Sequence, residues 1–356
     1  MRVTIIGTGL IGASVGLAAV RAGHDVLGWD ADAGSLAAAG ERGVAAAGSF
    51  EEAVADADLV VVAVPVTAIA AEATRVLAAA PQATVTDVGS TKRAVVESVR
   101  DPRFVGGHPL AGAEVRGPGG AHSELFDGAT WFLTPGAATE PERYRALHAF
   151  VSELGARVVA IDADAHDRLL ALTSHLPHAL ANLLLNHAGT TSVEGHAALG
   201  AAGASFRDMT RVAGANPRIW IDIFLENAEP LRDALGEHRR RVEQLERALA
   251  EGDAGFLARW IGESVEHRRE LLRDAFDEPG ALHRLQVHVP DRPGVLAGIM
   301  QALGAERINI EDLELHHVSR ELGGTLVVVV SGAEAAARAA EVLGRQGYDV
   351  DVAAEM

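Results

Sequence analysis

The chain has 356 residues, 48% of them hydrophobic, which is enough for roughly two or three domains with their own cores. A formal net charge of −18 argues against a nucleic-acid-binding surface and against binding to anionic membranes. The absence of cysteine excludes disulfides, thiolate nucleophiles and thiolate metal sites, and no metal is expected. Because no uncharged apolar run could span a bilayer and no signal peptide precedes the first strand, we expect a cytoplasmic protein.

The first motif is a glycine-rich turn between a strand and a helix. Residues 2–6 form a short apolar stretch, the sequence GTGLIG follows at residues 7–12, and a helix rich in small residues ends at Gly23. A second strand at residues 24–29 leads into Asp30. Strand, glycines, helix, strand and terminal acid together predict a dinucleotide-binding fold, in which the helix N-terminus faces the pyrophosphate.

Asp30 indicates which dinucleotide is bound. Its carboxylate is placed to accept hydrogen bonds from the adenosine ribose hydroxyls, and neither Ala31 nor Asp32 could bind a 2′-phosphate. NAD is therefore favoured over NADP. The residues predicted to contact this cofactor are Gly7, Gly9, Leu10, Ile11, Gly12, Asp30, Pro65 and Gly89.

Strands and helices keep alternating over residues 1–162, which predicts an α/β Rossmann-type domain. The further predicted strands lie at residues 58–64, 84–88, 130–133 and 156–161. Ligands of such folds bind beyond the carboxyl ends of the strands, and Ser90 lies at that edge. The alternative role for Ser90 is to cap the N-terminus of the helix that follows it.

Residues 104–114, FVGGHPLAGAE, are predicted to form an irregular turn that presents His108 to the same crevice. Gly106 and Gly107 favour such a turn, and Pro109 biases the residue before it away from the helical conformation. Imidazole titrates near neutral pH, so a histidine presented in this way is a natural general base. The alternative is a loop histidine that caps a turn or meets solvent.

From Asp164 onward, long helical periodicity replaces the alternation, which predicts an all-α domain over residues 163–280. Ser174 and His178 are four residues apart and share one face of a helix beside Pro177, which should kink that helix. A polar pair beside a kink indicates a binding site. Histidines that are hydrogen-bonded inside a core are the alternative.

Two further features of the helical region bear on function. Arg211 follows Asp208 by three residues in SFRDMTRV, a spacing that is often only a surface ion pair. Asn216 and Pro217 predict the start of one very long helix. That helix carries a coiled-coil-like seam, which favours a helical dimer interface over a seam closed within one chain. The seam residues are Leu231, Leu235, His238, Val242, Leu245 and Leu249.

After Glu278-Pro279-Gly280 the pattern changes to βαββαβ, a small ferredoxin-like unit over residues 281–356. The predicted strands lie at residues 282–289, 308–316, 325–330 and 348–352, and the predicted helices at residues 295–305 and 333–343.

Together these motifs resemble the prephenate dehydrogenase family of tyrosine biosynthesis, with a C-terminal ACT regulatory domain. The resemblance rests on GTGLIGAS, DVGSTK, GGHPLAGAE, SHLPH, DMTR and DRPGVLA, which occur in family order along the whole chain. It implies an NAD-dependent enzyme that converts prephenate to 4-hydroxyphenylpyruvate. Arogenate dehydrogenase is the nearest alternative. A β-hydroxyacid dehydrogenase would use a lysine of the helical domain, and no lysine follows Lys92. A non-catalytic amino-acid sensor is disfavoured because the motifs are intact.

The resemblance also implies roles for individual residues. His108 is expected to be the catalytic base, and Ser90 to form a hydrogen bond near the substrate hydroxyl. Arg211 is expected to bind a substrate carboxylate with Glu114 placed to pair with it, and Trp220 to reach the site across a homodimer. The residues implied in substrate binding are Ser174, His178, Arg211, Glu114, Trp220 and Lys92.

An ACT domain implies an amino-acid effector, for which tyrosine is the expected identity. The turn DRPG leads into a helix whose N-terminus suits a carboxylate, and Gly294 lets the backbone approach the ligand closely. Asn309, on the neighbouring predicted strand, could add a side-chain contact. The alternative is that the turn merely connects a strand to a helix. The expected effector residues are Asp291, Pro293, Gly294 and Asn309.

Overall fold

The structure, a computed structural model, describes residues 1–112, 117–214, 216–275, 282–319 and 323–353. Within these ranges no helix is long and apolar enough to cross a membrane. The chain divides into two compact units, Met1–Arg239 and Arg240–Met356. The division into three domains with boundaries near residues 162 and 280 stays a prediction.

One eight-stranded sheet organises the first unit. Its strands are β1 (Arg2–Ile6), β2 (Asp25–Trp29), β3 (Ala45–Ala46), β4 (Leu59–Val62), β5 (Thr84–Asp87), β6 (Phe104–Pro109), β7 (Thr130–Pro135) and β8 (Arg157–Ala160). They lie in the order β3-β2-β1-β4-β5-β6-β7-β8, and β1 to β6 run parallel. β7 is antiparallel to β6, and β8 is parallel to β7. This arrangement confirms the predicted α/β Rossmann-type domain.

Helices pack on both faces of the sheet because alternate residues of a strand point to opposite sides. Leu59 and Val61 of β4 enter one apolar core, and Val60 and Val62 enter the other. The helices of this unit are α1 (Leu10–Arg21), α2 (Ala33–Arg42), α3 (Phe50–Val54), α4 (Ile69–Ala79), α5 (Arg93–Ser98), α6 (Pro141–Glu153), α7 (Ala163–Leu170), α8 (Leu176–Thr190), α9 (Ala204–Thr210) and α10 (Pro217–Glu226). A two-stranded hairpin, β9 (Ser192–Val193) and β10 (His196–Ala197), follows α8.

β6 is a strand where the sequence predicted an irregular turn, so that prediction was wrong. It pairs with β5 on one side and with β7 on the other, and all of its residues are buried. Its two glycines serve close packing rather than turning. A Cβ on Gly106 would overlap the Thr134 hydroxyl, and one on Gly107 would lie 2.5 Å from the Asp87 carbonyl oxygen. His108 is therefore held on a strand inside the sheet.

The predicted long helix is interrupted at Asn227, between α10 and α11 (Ala228–Glu251). The Asn227 side chain is fully buried, and its amide donates to Asp167 O at 2.8 Å and to His175 Nδ1 at 3.0 Å. These two contacts satisfy the buried side-chain nitrogen, although not the side-chain oxygen, and they hold the chain at the break. The sequence did not predict this break, because both acceptors lie far from Asn227 along the chain.

The kink predicted at Pro177 takes the form of a wider helical turn. Ala171–His175 form a π-helical turn between α7 and α8, and Pro177 lies in the first turn of α8. A π turn accommodates proline, which has no N–H to donate to the preceding turn. Ser174 and His178 lie at this irregularity, and His178 Nδ1 is 3.0 Å from Ser174 O.

The second unit contains a four-stranded antiparallel sheet with helices packed on it. Its elements after α11 are α12 (Ala254–Ala275), β11 (Leu282–Val289), α13 (Val295–Ala305), β12 (Asp312–Ser319), β13 (Gly323–Ser331), α14 (Ala333–Arg345) and β14 (Asp349–Ala353). The strands lie in the order β12-β13-β11-β14. Leu285 and Val328 of the sheet share one apolar core with Ile299 and Leu343 of the helices. The predicted βαββαβ order is confirmed.

We expect Gly107→Ala to destabilise the first unit. The added methyl group would lie 2.5 Å from the Asp87 carbonyl oxygen, which belongs to the backbone and cannot move aside. Overpacking of this kind lowers the free energy of unfolding by roughly 1–3 kcal/mol, which chemical denaturation would measure. Gly40→Ala in α2 is the matched control, because no heavy atom lies within 4 Å of its added Cβ. Equal stability of the two variants would contradict the close-packing account of β6.

Candidate functional site

The turn between β1 and α1 has the geometry of a phosphate-binding loop. Gly7 has a φ of 93°, and a Cβ at this position would overlap the carbonyl that follows β4. A Cβ on Gly12 would overlap the Gly7 carbonyl, so this glycine lets α1 pack against the turn. The space above Gly9 is open, and Gly9 caps α1 without a side-chain hydrogen bond. The first amide groups of α1, from Leu10 and Ile11 onward, are available to a phosphate.

Asp30, at the end of β2, braces that turn. Its Oδ2 accepts the Thr8 amide at 2.6 Å and the Thr8 hydroxyl at 3.2 Å, and its Oδ1 accepts the Asp32 amide at 2.9 Å. Oδ1 keeps a second lone pair, so these contacts are compatible with a ribose hydroxyl. Pro65 follows β4 and Gly89 follows β5, so both lie at the carboxyl edge of neighbouring strands. A dinucleotide binds beyond this edge in such folds, so both positions agree with the predicted cofactor contacts.

Lys92 lies inside the protein rather than at a substrate-binding surface. Its side chain is fully buried, and its ammonium group pairs with the Asp87 carboxylate. Burial lowers the pKa of Lys92, and the charge of Asp87 opposes that shift. Asp87 also accepts the Gly107 amide at 3.0 Å and the Gly89 amide at 2.8 Å. In place of the expected substrate contact, the geometry supports a structural role, because Lys92 pairs with the carboxylate that accepts the Gly107 amide and so joins β5 to β6.

Ser90 is half-buried in the loop that follows β5. It is not the N-cap of the next helix, which was the alternative considered for it. α5 begins at Arg93, and the Lys92 and Arg93 amides donate to the Asp167 carboxylate at 2.8 Å and 2.9 Å. Because β5 and β6 are neighbours, the loop of Ser90 lies at the sheet edge where His108 is found.

His108 has one ring nitrogen engaged and one available. The residue is only 8% exposed, and its Nδ1 lies 2.9 Å from His166 Nε2. No hydrogen bond to Nε2 is found within the described part of the chain. Burial lowers the pKa of His108 well below its usual value, and His166, Lys92 and His175 lower it further. The ring is therefore neutral near pH 7, as a general base has to be.

The partner of His108 is a histidine on α7. His166 is fully buried, and its Nδ1 lies 2.8 Å from Asp167 Oδ1. Burial by itself would raise the pKa of Asp167, but hydrogen bonds from His166, Arg93 and Lys92 hold that pKa below its usual value. His166 and Asp167 could not be predicted from the sequence, because adjacent polar residues on a helix carry no signal of what they will contact.

A second cluster forms where α8 meets α10 and the 3-10 turn Arg211–Gly214. His178 stacks on Trp220 with ring centroids 3.4 Å apart and 23° between the ring planes. Burial lowers the pKa of His178, Ser174 raises it through a hydrogen bond, and the nearby Arg211 lowers it. Trp220 makes this contact within its own chain, and its expected reach across a dimer stays a prediction.

His175 lies between the two clusters, and its sequence position also gave no prediction of this role. Its ring centroid is 6.1 Å from that of Trp220, and its charge would act on His108. Burial lowers the pKa of His175 to about 4. The structure thus brings His108, His178, Trp220 and Arg211 into one region of the first unit. Glu114, expected to pair with Arg211, lies outside the described residues.

The expected effector residues lie on the turn that follows β11 and on the loop before β12. Asp291 and Pro293 are exposed, and Gly294 caps α13 with a φ of 90° and no side-chain hydrogen bond. The Val295 amide donates to Arg292 O at 3.4 Å, and the next amide groups of α13 can donate to an anion. Asn309 precedes β12 rather than lying on it, and its side-chain amide donates to Glu311 Oε1 at 2.8 Å.

Comparison with known proteins identifies the family. A protein of Bacillus subtilis named prephenate dehydrogenase is 32% identical over 336 residues, which cover 91% of this chain and 90% of the relative. The chain belongs to the prephenate dehydrogenase family. The family profile described as prephenate dehydrogenase, nucleotide-binding domain, matches residues 15–160, and the one described as its dimerization domain matches residues 162–263. An ACT domain profile matches residues 283–347.

Solved structures of this family superpose on most of the chain. Prephenate dehydrogenase from A. aeolicus, in complex with hydroxyphenyl propionate and NAD+, is 29% identical with a TM-score of 0.72. The match covers 76% of this chain and 98% of that one. Synechocystis arogenate dehydrogenase is 28% identical with a TM-score of 0.69, over 76% of this chain and 100% of that one.

We expect the His108 and His175 rings to stay neutral as the pH falls through 6.5. Burial depresses both pKa values in the folded state, and that of His175 to about 4. The unfolded chain binds these protons more readily, so the associated stability is present above about pH 6.5 and is lost as the pH falls. NMR titration of histidine-labelled protein would measure both pKa values, with His108→Asn and His175→Asn used to assign the signals. Ordinary midpoints near 6.5 would contradict the described burial.

Proposed function

We infer that the chain is an NAD-dependent prephenate dehydrogenase, which oxidises and decarboxylates prephenate to 4-hydroxyphenylpyruvate. The observation that carries this inference is His108, a buried neutral histidine with an available Nε2 at the carboxyl edge of a dinucleotide-binding sheet. Membership of the family supports it, as does the A. aeolicus relative whose structure contains NAD+ and hydroxyphenyl propionate.

The glycine-rich turn is suited to hold NAD, which supplies the hydride acceptor when it is bound. Gly9 leaves room for the pyrophosphate, and the uncapped start of α1 offers amide donors to it. Asp30 is positioned to accept a ribose hydroxyl while it braces the Thr8 amide. Its negative charge and the lack of a following arginine disfavour the 2′-phosphate of NADP.

His108 acts on the ring hydroxyl of the substrate. Its Nε2 takes the hydroxyl proton as a hydride leaves the carbon that bears this hydroxyl. Carbon dioxide then leaves, and the electrons of the broken carbon–carbon bond complete the aromatic ring. The proton held by His108 can return to the phenolate oxygen, which leaves the imidazole neutral again. Ser90 lies at the same edge of the sheet and is proposed to bind the hydroxyl.

The second cluster is proposed to bind the substrate side chain. Prephenate carries two carboxylates, and the chain has a net charge of −18, so binding requires local positive charge. Arg211 supplies a guanidinium that can grip a carboxylate with two hydrogen bonds. Ser174 and His178 provide neutral hydrogen-bonding groups, and Trp220 stacks on His178 to fix the orientation of that ring.

We expect His108→Asn to abolish NADH formation with prephenate while NAD binding is retained. The substitution removes the base but leaves the glycine-rich turn intact, and loss of a general base typically slows a reaction by ~10²–10⁴-fold. Absorbance of NADH and calorimetric titration with NAD would measure the two effects. A variant that keeps nearly the wild-type rate would contradict the role of His108.

The substrate itself is tested by assaying prephenate and arogenate in parallel with the wild-type enzyme. Arogenate has an amino group where prephenate has a keto group, and the matching Synechocystis enzyme is an arogenate dehydrogenase. We expect the higher kcat/KM with prephenate. A preference for arogenate would replace the substrate but keep the chemistry of His108, whereas no turnover of either would contradict the proposed function.

We further propose that two copies of the chain associate through the helical region. Large apolar side chains there are exposed in the single chain, among them Leu225 at 71%, Leu249 at 62% and Ile261 at 55%. Exposed apolar surface of this kind favours a protein partner. A second copy is the fitting partner because the profile that matches residues 162–263 is described as a dimerization domain.

We propose that tyrosine is the effector and binds at the turn before α13. The uncapped helix N-terminus suits the α-carboxylate, and the exposed Asp291 can pair with the α-ammonium group. Inhibition requires tyrosine to bind the less active state more tightly, a coupling typically worth ~1–3 kcal/mol.

We expect Asp291→Ala to weaken inhibition by tyrosine without changing kcat or KM in its absence. Asp351→Ala, at an exposed position on β14, is the matched control and should stay sensitive. The measurement is the initial rate over a tyrosine series, with phenylalanine run in parallel. Undiminished inhibition of Asp291→Ala would indicate that tyrosine competes as a product-like ligand at the His108 site.

A further inference from the structure

Three buried side chains, Asp167, His166 and His108, are joined by a continuous series of hydrogen bonds, called here the hydrogen-bonded chain. His108 Nδ1 lies 2.9 Å from His166 Nε2, and His166 Nδ1 lies 2.8 Å from Asp167 Oδ1. The His166 ring is fully buried, and Asp167 is 1% exposed, so water has little access to replace either partner. Each contact joins one ring nitrogen to one acceptor or donor, so the hydrogen positions along the chain depend on one another.

The Asp167 carboxylate sets the direction of this chain. It already accepts the Lys92 and Arg93 amides at 2.8 Å and 2.9 Å, which favours its ionised form. An ionised carboxylate can only accept hydrogen bonds, so His166 Nδ1 has to carry the hydrogen. In a neutral ring, His166 Nε2 is then an acceptor, and the hydrogen on the next contact belongs to His108 Nδ1.

We propose that His166 and Asp167 are positioning residues that hold His108 in the tautomer with hydrogen on Nδ1. This inference rests on the proposed function, in which His108 Nε2 receives the substrate proton. Only the Nδ1-protonated tautomer leaves a lone pair on Nε2, whereas the other tautomer would present an N–H to the substrate hydroxyl. The pair therefore prepares the base before substrate binds.

The same hydrogen bond persists after His108 accepts a proton. The imidazolium form also carries hydrogen on Nδ1, so His166 Nε2 remains its acceptor in both states. The negative charge of Asp167 lies one ring away and favours the positive charge that develops on His108. No rearrangement of the three side chains is needed during proton transfer.

Other charged or titratable groups near His108 are engaged elsewhere. Lys92 pairs with Asp87, and His175 Nδ1 accepts the Asn227 amide. The reverse tautomer of His108 would need a proton on Asp167 or a second proton on His166. The amide hydrogen bonds from Lys92 and Arg93 favour the unprotonated carboxylate of Asp167, and a ¹⁵N spectrum of the histidines would detect a second proton on His166 through its effect on the His108 tautomer.

The tautomer is measured directly by NMR of the wild-type protein labelled with ¹⁵N in histidine. The chain has 15 histidines, so the His108 signals are assigned by their loss in His108→Asn. Near pH 7 we expect the His108 Nδ1 signal of a protonated ring nitrogen and the Nε2 signal of an unprotonated one. This measurement uses no substrate, so it does not depend on whether prephenate is turned over.

Variants then test whether the tautomer matters for the rate. In His166→Leu the acceptor is removed, so we expect the His108 signals to shift toward a mixture of tautomers. We expect kcat to fall by ~10–10⁴-fold, the range seen when the orienting partner of a functional histidine is lost. The KM for NAD should stay close to that of the wild type. His166→Gln keeps an acceptor in place and should recover part of the rate.

Asp167→Asn tests the proposal at the end of the hydrogen-bonded chain that lies away from His108. An amide can donate to His166 Nδ1, which would reverse the hydrogen positions and place hydrogen on His108 Nε2. We expect that tautomer in the NMR spectrum and a rate at least as low as that of His166→Leu. If this variant does not fold, because Asp167 also caps α5, the wild-type spectrum and the His166 variants still decide the matter.

His24→Leu is the matched control. His24 is a largely buried histidine of the same unit whose Nε2 lies 3.0 Å from Glu153 Oε2, at the amino end of β2. Its loss should change neither the His108 tautomer nor kcat. The proposal is overturned if wild-type His108 carries hydrogen on Nε2, or if His166→Leu keeps both the wild-type tautomer and the wild-type rate. If the wild type shows the expected tautomer but turns over no cyclohexadienyl substrate, the proposed function fails and the hydrogen-bonded chain stands.

Discussion

The buried carboxylate of Asp167 is the interaction on which the rest of the site depends. It accepts the amide of Lys92, the N-cap of α5, the amide of Arg93 and the His166 ring, and so joins the loop after β5 to α7. Its main-chain carbonyl accepts the side-chain amide of Asn227 at the break between α10 and α11. Removing the partners of a buried charge typically costs about 3–5 kcal/mol. The sheet and these helices are therefore held in one arrangement around His108.

A buried ion pair, Lys92 with Asp87, also depends on hydrogen bonds from main-chain amides. Lys92 and Asp87 are both fully buried, and their mutual attraction is supported by amide donors to the carboxylate from Gly89 and Gly107. Taking an ion pair out of water is unfavourable unless such hydrogen bonds satisfy the remaining lone pairs. The glycine at position 107 serves this network twice, because its amide donates to Asp87 and its missing side chain lets β5 and β6 approach.

Burial decides the chemistry of the histidines in this strongly acidic chain. Many carboxylates would ordinarily favour protonated imidazole, yet His108, His175 and His178 all have pKa values lowered chiefly by burial. Neutral rings can accept a proton or a hydrogen bond near neutral pH, which a general base and its neighbours require. The positive charge that we propose to bind an anionic substrate is that of Arg211, which lies near His178.

The sequence by itself determined the elements whose signals are local. The glycine-rich turn, Asp30 and the βαββαβ order follow from spacing and periodicity, and the ordered motifs point to the family. Tertiary structure alone decided that residues 104–109 form a strand. Their glycines are required by close packing against the neighbouring strands, not by a turn. It also decided the break at Asn227 and the burial of Lys92. Tertiary structure alone also decided the contact of His166 with His108, because a hydrogen bond between distant residues leaves no periodic pattern in either segment.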